Sequence, residues 1–340
     1  SKRKIWAKII QNRSEIGFPY IMFKDNSNNN SPYKELGMDI TASNLCSEIQ
    51  LPTDSYNSFV CCLGSINVLH WDEIKETDAI QTYVYFLNAV MDEFIVKSET
   101  MPGMKRANNF AKEHRAIGLG VLGYHSLFQS KLIEFDSIQA KGLNAQIFST
   151  IKDRSEIASR KLHKEHGYTS LRNGYANTTL IAIAPTKSSS FIHGAVSMGI
   201  EPIKSNYFIK DLAKSKTVYK NPFLIDELEK YGMNTDKVWK SILKKDGSVQ
   251  HLGFPTQAVF KSFVEISPKE IVLQAAQRQK YIDQSQSLNL MIDPSVSAKD
   301  INKLYMYAWE EGVKTLYYQF SKSSAQDFAR NILECNSCEG

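Results

Sequence analysis

The sequence predicts an α/β fold, because helical patterns alternate with short apolar runs along the chain. Apolar runs at 59–68 and 178–184, bounded by turn residues, predict strands. Apolar residues recur with the period of an α-helix at 74–97 and 151–166, and both segments are predicted to be helical. At 340 residues the chain can bury a sizeable core, as one large domain or two ordinary ones.

The N-terminal residues predict a helix at 2–12, a strand at 18–23 and a polar loop at 26–30. The first residue is not Met, and the helix begins almost at once. We therefore expect the chain to be cut from, or to continue, something longer.

The C-terminal half predicts further helices at 270–281 and 304–312 and a strand at 314–319. Adjacent tyrosines in a strand point to opposite faces, so Tyr317 and Tyr318 taken alone indicate packing. The charged region 206–253, with helical patterns and a hairpin-like turn at 245–247, predicts a surface without chemistry.

Composition excludes several function classes. Hydrophobic residues make up 42% and charged residues 23% of the chain, which is typical of a soluble globular protein. No apolar run approaches the roughly 20 residues of a membrane span and the start lacks a signal peptide, so we expect a cytoplasmic protein without membrane contact. The net charge of +5 is spread along the chain. This argues against direct nucleic-acid binding and favours a small phosphate ligand.

A polar segment at 43–49, called here the Cys46 loop, concentrates reactive groups. If the segment is extended, Asn44, Cys46 and Glu48 project from one face, while Leu45 and Ile49 help to anchor it. A carboxylate can take a proton, a thiol can give up a proton or a hydrogen atom, and an amide can hold a hydroxyl group. The alternative is that Cys46 is a small buried hydrophobe.

Five cysteines, an odd number, do not predict a disulfide framework. We expect Cys46, Cys61 and the C-terminal pair Cys335 and Cys338 to be reduced thiols with a chemical use rather than disulfide-bonded cysteines. Cys62 is expected to be a core residue. A Cys-x-x-Cys pair alone is ambiguous between redox use and a structural zinc. No metal site is otherwise predicted.

Two segments raise the question of phosphate binding. The G-x-G-x-x-G at 118–123 follows charged residues at 111–115 rather than a buried strand, so we reject a dinucleotide loop and expect the glycines to allow close helix packing. The strand at 178–184 runs into a hydroxyl-rich turn that opens a helix, which offers donors to a phosphate. A plain Ser/Thr turn is the alternative. The residues of this turn are Pro185, Thr186, Lys187, Ser188 and Ser189.

In combination these motifs resemble the large, catalytic subunit of class I ribonucleotide reductase. Asn-Leu-Cys-x-Glu-Ile followed by Leu-Pro-Thr begins at Asn44, and Cys61 is followed six residues later by Asn67. Pro-x-x-x-Ser-Ser begins at Pro185, Lys-Thr-x-Tyr-Tyr ends at Tyr318, and a thiol pair closes the chain. The motifs occur in the family's order over nearly the whole sequence.

The resemblance implies specific roles. Cys46 becomes a thiyl radical that abstracts the 3′ hydrogen of a ribonucleoside diphosphate, Glu48 deprotonates the 3′ hydroxyl, and Asn44 orients the sugar hydroxyls. Leu45 and Ser47 join them as substrate-binding residues, and the turn at 185–189 holds the diphosphate. Cys61 is one half of a redox pair. Tyr317 and Tyr318 relay the radical, while Cys335 and Cys338 exchange electrons with a thioredoxin- or glutaredoxin-type reductant.

The resemblance also implies the second half of a ten-stranded α/β barrel, with the Cys46 loop threading its centre as the family's finger loop. Residues 1–320 form this half with helical additions, and 321–340 form a flexible redox tail. No cysteine precedes Cys46 to pair with Cys61, and half a barrel leaves an open sheet edge. We therefore expect an N-terminal partner chain carrying the allosteric nucleotides.

The resemblance implies no cofactor bound directly to this chain, because the radical comes from a metal-containing small subunit. The rival hypothesis is a non-catalytic chain that binds or regulates that small subunit.

Overall fold

The computed structural model describes residues 1–212 and 215–321, without the side chains of 209–217. Strands and helices alternate along it, which confirms the predicted α/β class. Its helices are α1 (Lys2–Ile16), α2 (Lys24–Asn29), α3 (Trp71–Ile74), α4 (Ala79–Ser98), α5 (Lys105–His114), α6 (Tyr124–Ser130), α7 (Ile138–His166), α8 (Lys187–Ile192), α9 (Pro222–Lys230), α10 (Asp236–Lys244), α11 (Pro268–Gln279) and α12 (Ala298–Glu310). Its strands are β1 (Ile21–Met22), β2 (Leu63–Asn67), β3 (Gly118–Leu122), β4 (Tyr207–Leu212), β5 (Ser215–Lys220), β6 (Leu290–Met291), β7 (Thr315–Leu316) and β8 (Gln319–Phe320).

Parallel segments lie side by side in the order in which they occur in the sequence. β2 pairs with β3 along its whole length. Ile181 continues the sheet beside Leu119, and Gln286 continues it beside Ile183. β6 then pairs in parallel with β8. Because neighbouring segments are parallel, their carboxyl ends meet at one edge of the sheet, where ligands bind in α/β folds.

Helices cover the faces of this sheet and leave the outer side of its edge strand β2 open. Ile66, Val121 and Ile183 from the sheet share one buried cluster with Leu87 of α4 and Ile147 of α7. Close packing of this kind holds the sheet rigidly against its helices. In the part of the chain that the structure describes, no strand pairs with the outer edge of β2.

A smaller buried cluster, containing Leu228, Trp239 and Phe260, lies between 206 and 260. α9 and α10 confirm the helical part of the prediction for this region, and Gly247, at a φ of 84°, confirms the turn after α10. The antiparallel hairpin of β4 and β5 was not predicted. The sequence pattern of 206–253 is mainly helical, so it favours helix at these positions as well.

The polar segment 26–30 is not a loop, because most of it belongs to α2. The Asn26 amide donates to the carbonyl groups of Trp309 and Val313. The Asn28 side chain binds both the N–H and the carbonyl group of Ile40, at 2.8 and 3.0 Å. These tertiary hydrogen bonds outweigh the weak helix propensity of asparagine.

The first two glycines of the G-x-G-x-x-G pattern serve strand packing rather than the predicted helix packing. Gly118 and Gly120 lie in β3. A Cβ atom on Gly118 would lie 2.8 Å from the Cβ atom of Ala182, and one on Gly120 would lie 2.6 Å from the Ala182 carbonyl oxygen. The glycines therefore allow the neighbouring segment to approach, and they are buried inside the sheet rather than exposed in a phosphate-binding loop.

Other predicted elements differ in their bounds. α1 continues to Ile16, the predicted helix 74–97 is divided into α3 and α4, and the predicted helix 151–166 is the C-terminal part of α7. The predicted strands at 18–23, 59–68 and 314–319 shorten to β1, β2 and the pair β7 and β8, while 178–184 contributes only bridges. Helix periodicity thus located elements better than it located their ends.

Arg13 ties α1 to the last strand segment. Its Nε donates to the Tyr305 hydroxyl at 2.7 Å, and its Nη1 donates to the carbonyl groups of Pro19 and Tyr317. The side chain is fully buried, and this desolvation lowers the pKa of Arg13. The guanidinium therefore fixes two chain segments that carry aromatic residues.

We expect Arg13→Met to lower the free energy of unfolding by about 3 kcal/mol, because it leaves buried acceptors without their donor. Denaturant unfolding measures the effect. Arg3→Met is the matched control, since Arg3 is exposed on the same helix. A loss no larger than that of the control would show that the buried hydrogen bonds contribute little.

Candidate active site

The Cys46 loop is a turn and not the predicted extended segment. The N–H of Asn44 donates to the carbonyl of Ile49 at 3.3 Å, and the N–H of Ser47 donates to the carbonyl of Asn44 at 3.2 Å. The Ile49 N–H also donates to the Asn44 side-chain oxygen, at 3.0 Å. Ser47 has a φ of 70°, which reverses the chain. Ile49 is buried as predicted, whereas Leu45 is 58% exposed at the tip and does not anchor the loop.

Glu48 lies buried beneath this turn. The Ser287 hydroxyl lies 3.1 Å from Glu48 Oε2, and the Asn44 side chain also hydrogen-bonds to the carboxyl group. Burial raises the pKa of Glu48 from its usual range, and these hydrogen bonds oppose the rise. The result is a carboxylate with increased proton affinity, which suits a general base.

Cys46 lies half-buried at the turn, next to the phenol of Tyr317. The two side chains are hydrogen-bonded. Burial and the neighbouring Cys46 raise the pKa of Tyr317 well above its usual range. The phenol is thus held in its neutral, protonated form in contact with the thiol.

Tyr317 and Tyr318 do not point to opposite faces, because the strand is interrupted between β7 and β8. Their ring centroids lie 4.5 Å apart. A third ring, that of Tyr20, lies 4.5 Å from Tyr317 and 4.9 Å from Tyr318. Sequence reasoning missed Tyr20. The local signal was an aromatic residue inside the predicted strand at 18–23, which more often indicates packing.

Cys61 lies two residues before β2, not within the strand. The residue is exposed, yet its thiol lies among protein groups, and that desolvation, together with Glu48 and the thiols of Cys46 and Cys62, raises its pKa to about 12. Cys62 is buried, with its sulfur 3.6 Å from the Leu87 carbonyl oxygen, which confirms it as a core residue. The Asn67 side chain accepts the N–H of Leu69 and caps a turn.

A groove of about 370 Å³ opens beside Cys61, at the unpaired edge of β2. Its other wall is α4, which presents Phe86, Val90 and Phe94. Phe86 is 58% exposed, although its neighbours on α4 pack into the core. The groove therefore joins an apolar surface to the thiol of Cys61.

The hydroxyl-rich turn opens α8, as predicted. The Thr186 hydroxyl accepts the N–H of Gly199 at 2.7 Å and lies 3.1 Å from the Ser190 hydroxyl, so it holds the turn together. Lys187, Ser188 and Ser189 are exposed, and Pro185 is half-buried. The first turn of a helix leaves backbone N–H groups without intrahelical acceptors.

Asn289 connects the sheet edge near this turn to the tyrosines. Its amide donates to Glu201 Oε2 at 2.9 Å, and its oxygen accepts the N–H of Tyr318 at 3.1 Å. The turn follows the parallel bridge at Ile183, and Asn289 lies between the bridge at Gln286 and β6. Sequence reasoning did not single out Asn289, which makes these contacts across the fold.

Cys335 and Cys338 lie outside the described residues. Within 1–212 and 215–321, no three His, Cys, Asp or Glu side chains are grouped so that they could hold a metal ion. No helix described here has both the length and the apolar content that a membrane crossing requires.

Comparisons with known proteins identify a family for this chain. The family described as "Ribonucleotide reductase, barrel domain" matches residues 1–172 and 169–319. The chain is 37% identical over 360 residues to the ribonucleoside-diphosphate reductase large subunit of Invertebrate iridescent virus 3, covering 99% of this chain and 56% of the viral protein. It is 31% identical to that of Caenorhabditis elegans, covering 94% of this chain and 45% of the relative.

A solved structure, the class Id ribonucleotide reductase alpha subunit of Actinobacillus ureae, superposes with a TM-score of 0.90 at 49% identity. The alignment covers 98% of this chain and 63% of that subunit. The chain thus spans about half to two thirds of the length of these relatives.

Proposed function

Because the chain belongs to the ribonucleotide reductase barrel family, we propose that it is the C-terminal part of a reductase catalytic subunit. In this role it reduces ribonucleoside diphosphates to their 2′-deoxy forms, together with an N-terminal partner and a radical-generating small subunit. The observation that carries the proposal is the contact of Cys46 with Tyr317 in a loop that also holds Glu48. Family membership also confirms the predicted barrel architecture.

Each group has a chemical task in the proposed reaction. Once the radical of the small subunit has oxidised Tyr317, the tyrosyl radical takes an electron and a proton from Cys46, and the resulting thiyl radical takes the 3′ hydrogen atom. Glu48 accepts the proton of the 3′ hydroxyl, and Asn44 orients the sugar. Two thiols, one of them Cys61, become a disulfide while the 2′ C–O bond is replaced by C–H and the hydroxyl leaves as water. A raised pKa keeps Cys61 protonated, so it delivers hydrogen together with electrons.

The turn at 185–189 is the proposed diphosphate site. Exposed hydroxyl groups, the backbone N–H groups at the start of α8 and the ammonium group of Lys187 suit an anionic ligand. The turn follows the carboxyl end of the parallel segment that contains Ile181 and Ile183, the position at which α/β folds bind ligands. Lys187 adds a cation beside this turn.

The first half of the barrel is the proposed partner at the open edge. β2 exposes unpaired backbone groups there, and Phe86, Val90 and Phe94 expose apolar surface beside them. Cys61 lies in the same groove, so a partner that covers it can bring the second thiol within disulfide distance. We expect the allosteric nucleotides to bind to that partner, and the radical to originate on a metal-containing small subunit. The proposal therefore needs neither an allosteric nucleotide site nor a radical cofactor site in the described residues. It also includes a cytoplasmic location.

Deoxynucleotide formation tests the proposal directly. The chain is mixed with the N-terminal half of a large subunit and a radical-bearing small subunit, and deoxynucleoside diphosphate is measured. Binding to the small subunit without any turnover would instead favour the rival, a regulatory chain. The presence of Cys46 and Glu48 in one loop argues against the regulatory hypothesis, because binding alone does not require a thiol and a base.

The two tail thiols give a separate prediction. The double variant Cys335→Ser, Cys338→Ser is expected to lose turnover driven by a thioredoxin-type protein. Activity with a small dithiol is expected to survive largely, because a small reductant can reach the Cys61 disulfide directly. Equal loss with both reductants would contradict a shuttle.

Zinc binding is the alternative use of this Cys-x-x-Cys pair. It predicts metal bound by the wild-type protein and a loss of stability in the double variant. Metal analysis of both proteins, run beside the reductant assays, separates the two hypotheses.

A further inference from the structure

Ser287 touches the Cys46 loop at two points. Its hydroxyl lies 2.6 Å from the carbonyl oxygen of Cys46 and 3.1 Å from Glu48 Oε2. The residue follows Gln286 in the sheet, its own N–H donates to the Ile183 carbonyl, and it is 5% exposed. A rigid strand segment thus presents one buried hydroxyl to both acceptors.

A hydroxyl group has a single hydrogen, so Ser287 can donate fully to only one of the two acceptors at a time. When Glu48 is ionised, its carboxylate is the stronger acceptor and attracts the hydrogen. When Glu48 is protonated, the acid can donate to the Ser287 oxygen, and the Ser287 hydrogen turns to the Cys46 carbonyl. The two protonation states of Glu48 therefore select two hydrogen-bond arrangements.

We propose that Ser287 is a positioning residue that couples the proton on Glu48 to the backbone of Cys46. The inference rests on the proposed function, in which Glu48 is the base and Cys46 the radical residue. Once Glu48 has taken the ribose proton, Ser287 holds the Cys46 carbonyl most firmly. The turn is then fixed while the radical is on the substrate and must return to the same thiol.

Hydrogen bonds, rather than neighbouring charges, counter the effect of burial on the proton affinity of Glu48. Within the described residues, the titratable group that interacts electrostatically with Glu48 is the thiol of Cys61. With its raised pKa, Cys61 is neutral near pH 7 and adds no charge. Asn44 and Ser287 are the uncharged polar groups that bind the carboxylate. Ser287 is the one of the two that also holds the Cys46 carbonyl.

Titration of Glu48 in the purified chain tests the coupling without requiring activity. Carboxyl carbons are labelled with 13C, and the Glu48 signal is assigned by its loss in Glu48→Gln. Removing the donor destabilises the carboxylate, so Ser287→Ala is expected to raise the Glu48 titration midpoint by about one pH unit. Ser287→Thr, which keeps the hydroxyl, is expected to restore it. Ser287→Cys has a weak donor of similar size, so its Glu48 midpoint is expected to lie between those of the wild type and the alanine variant. It replaces Ser287→Ala in the test if the alanine variant does not fold.

Ser285→Ala is the matched control. Ser285 is a buried serine two residues earlier, and its hydroxyl binds Thr315 Oγ1 at 2.7 Å. Its backbone N–H donates to the Glu48 carbonyl at 2.9 Å, and alanine keeps that bond. We expect no change in the Glu48 titration. An unchanged midpoint in Ser287→Ala, or equal shifts in both alanine variants, would overturn the coupling.

The assembled enzyme supplies the second readout. Glu48 must be ionised to act as a base, so a higher proton affinity moves the acidic limb of the kcat/KM profile to higher pH. We expect a shift of about one unit in Ser287→Ala and recovery in Ser287→Thr. If the wild-type assembly shows no turnover, the proposed function fails, while the titration still decides the coupling. A titration shift without movement of the acidic limb would overturn the catalytic part of the inference.

Discussion

Replacing Cys46 with serine is expected to abolish turnover, by more than about a thousandfold, while the assembled subunits remain intact. An O–H bond is stronger than an S–H bond, so a hydroxyl group cannot pass its hydrogen atom to the oxidised Tyr317 with comparable ease. Serine fits the half-buried turn, since the turn is held by hydrogen bonds of Asn44 and Ser287 rather than by the thiol. Deoxynucleotide formation and sedimentation of the complex are the measurements.

Cys62→Ser is the matched control for this change. It makes the same atomic substitution in a buried thiol of the core, which contacts the Leu87 carbonyl. We expect turnover per folded molecule to be largely retained. Appreciable activity in Cys46→Ser, or an equal loss in both variants, would remove the assignment of Cys46 as the radical residue.

Replacing Tyr317 with phenylalanine is expected to stop turnover to a similar extent, with little change in substrate affinity. The ring and its packing against Tyr318 are kept, but the phenol that contacts Cys46 is lost. Phenylalanine is not readily oxidised, so the route to the thiol is interrupted. Tyr318→Phe is expected to have the same effect, because Tyr318 is the next tyrosine of the proposed radical route after Tyr317. Turnover and the equilibrium binding of a ribonucleoside diphosphate are measured separately.

Tyr20→Phe provides the comparison within the same aromatic cluster. Tyr20 contacts both rings, and the hydrogen bond to the Cys46 thiol belongs to Tyr317. We expect a much smaller loss of turnover than in Tyr317→Phe. Equal losses in the two variants would mean that the cluster acts as a packing unit and that no single phenol forms the route.

Local patterns predicted much of the secondary structure. Helix periodicity identified the segments that became α4, α7, α11 and α12, because a helix that packs on a sheet repeats its apolar residues every turn. Patterns failed where distant groups decided the conformation. Asn26 and Asn28 are helical because the ends of other segments bind their side chains. The glycines of β3 are required by Ala182, which the sequence places far away.

The chemistry of the Cys46 loop was predictable, whereas its shape was not. A thiol, a carboxylate and an amide at Cys46, Glu48 and Asn44 indicate proton and hydrogen transfer wherever they meet. Alternation predicted that they share one face of an extended segment. In the folded chain the Asn44 side chain accepts the Ile49 N–H and forms a turn, so the groups converge by a different route.

The sequence by itself determined the class of fold, the positions of the main helices and the reactive residue types, because these follow from local periodicity and from side-chain chemistry. Only the tertiary structure decided which groups meet. Ser287 binds Cys46 across 241 positions, and Tyr20 joins Tyr317 from the opposite end of the chain. Such contacts depend on the register of parallel segments and on the packing of helices over them. No local pattern records that register, so the second donor to Glu48 and the third tyrosine became visible only in the folded protein.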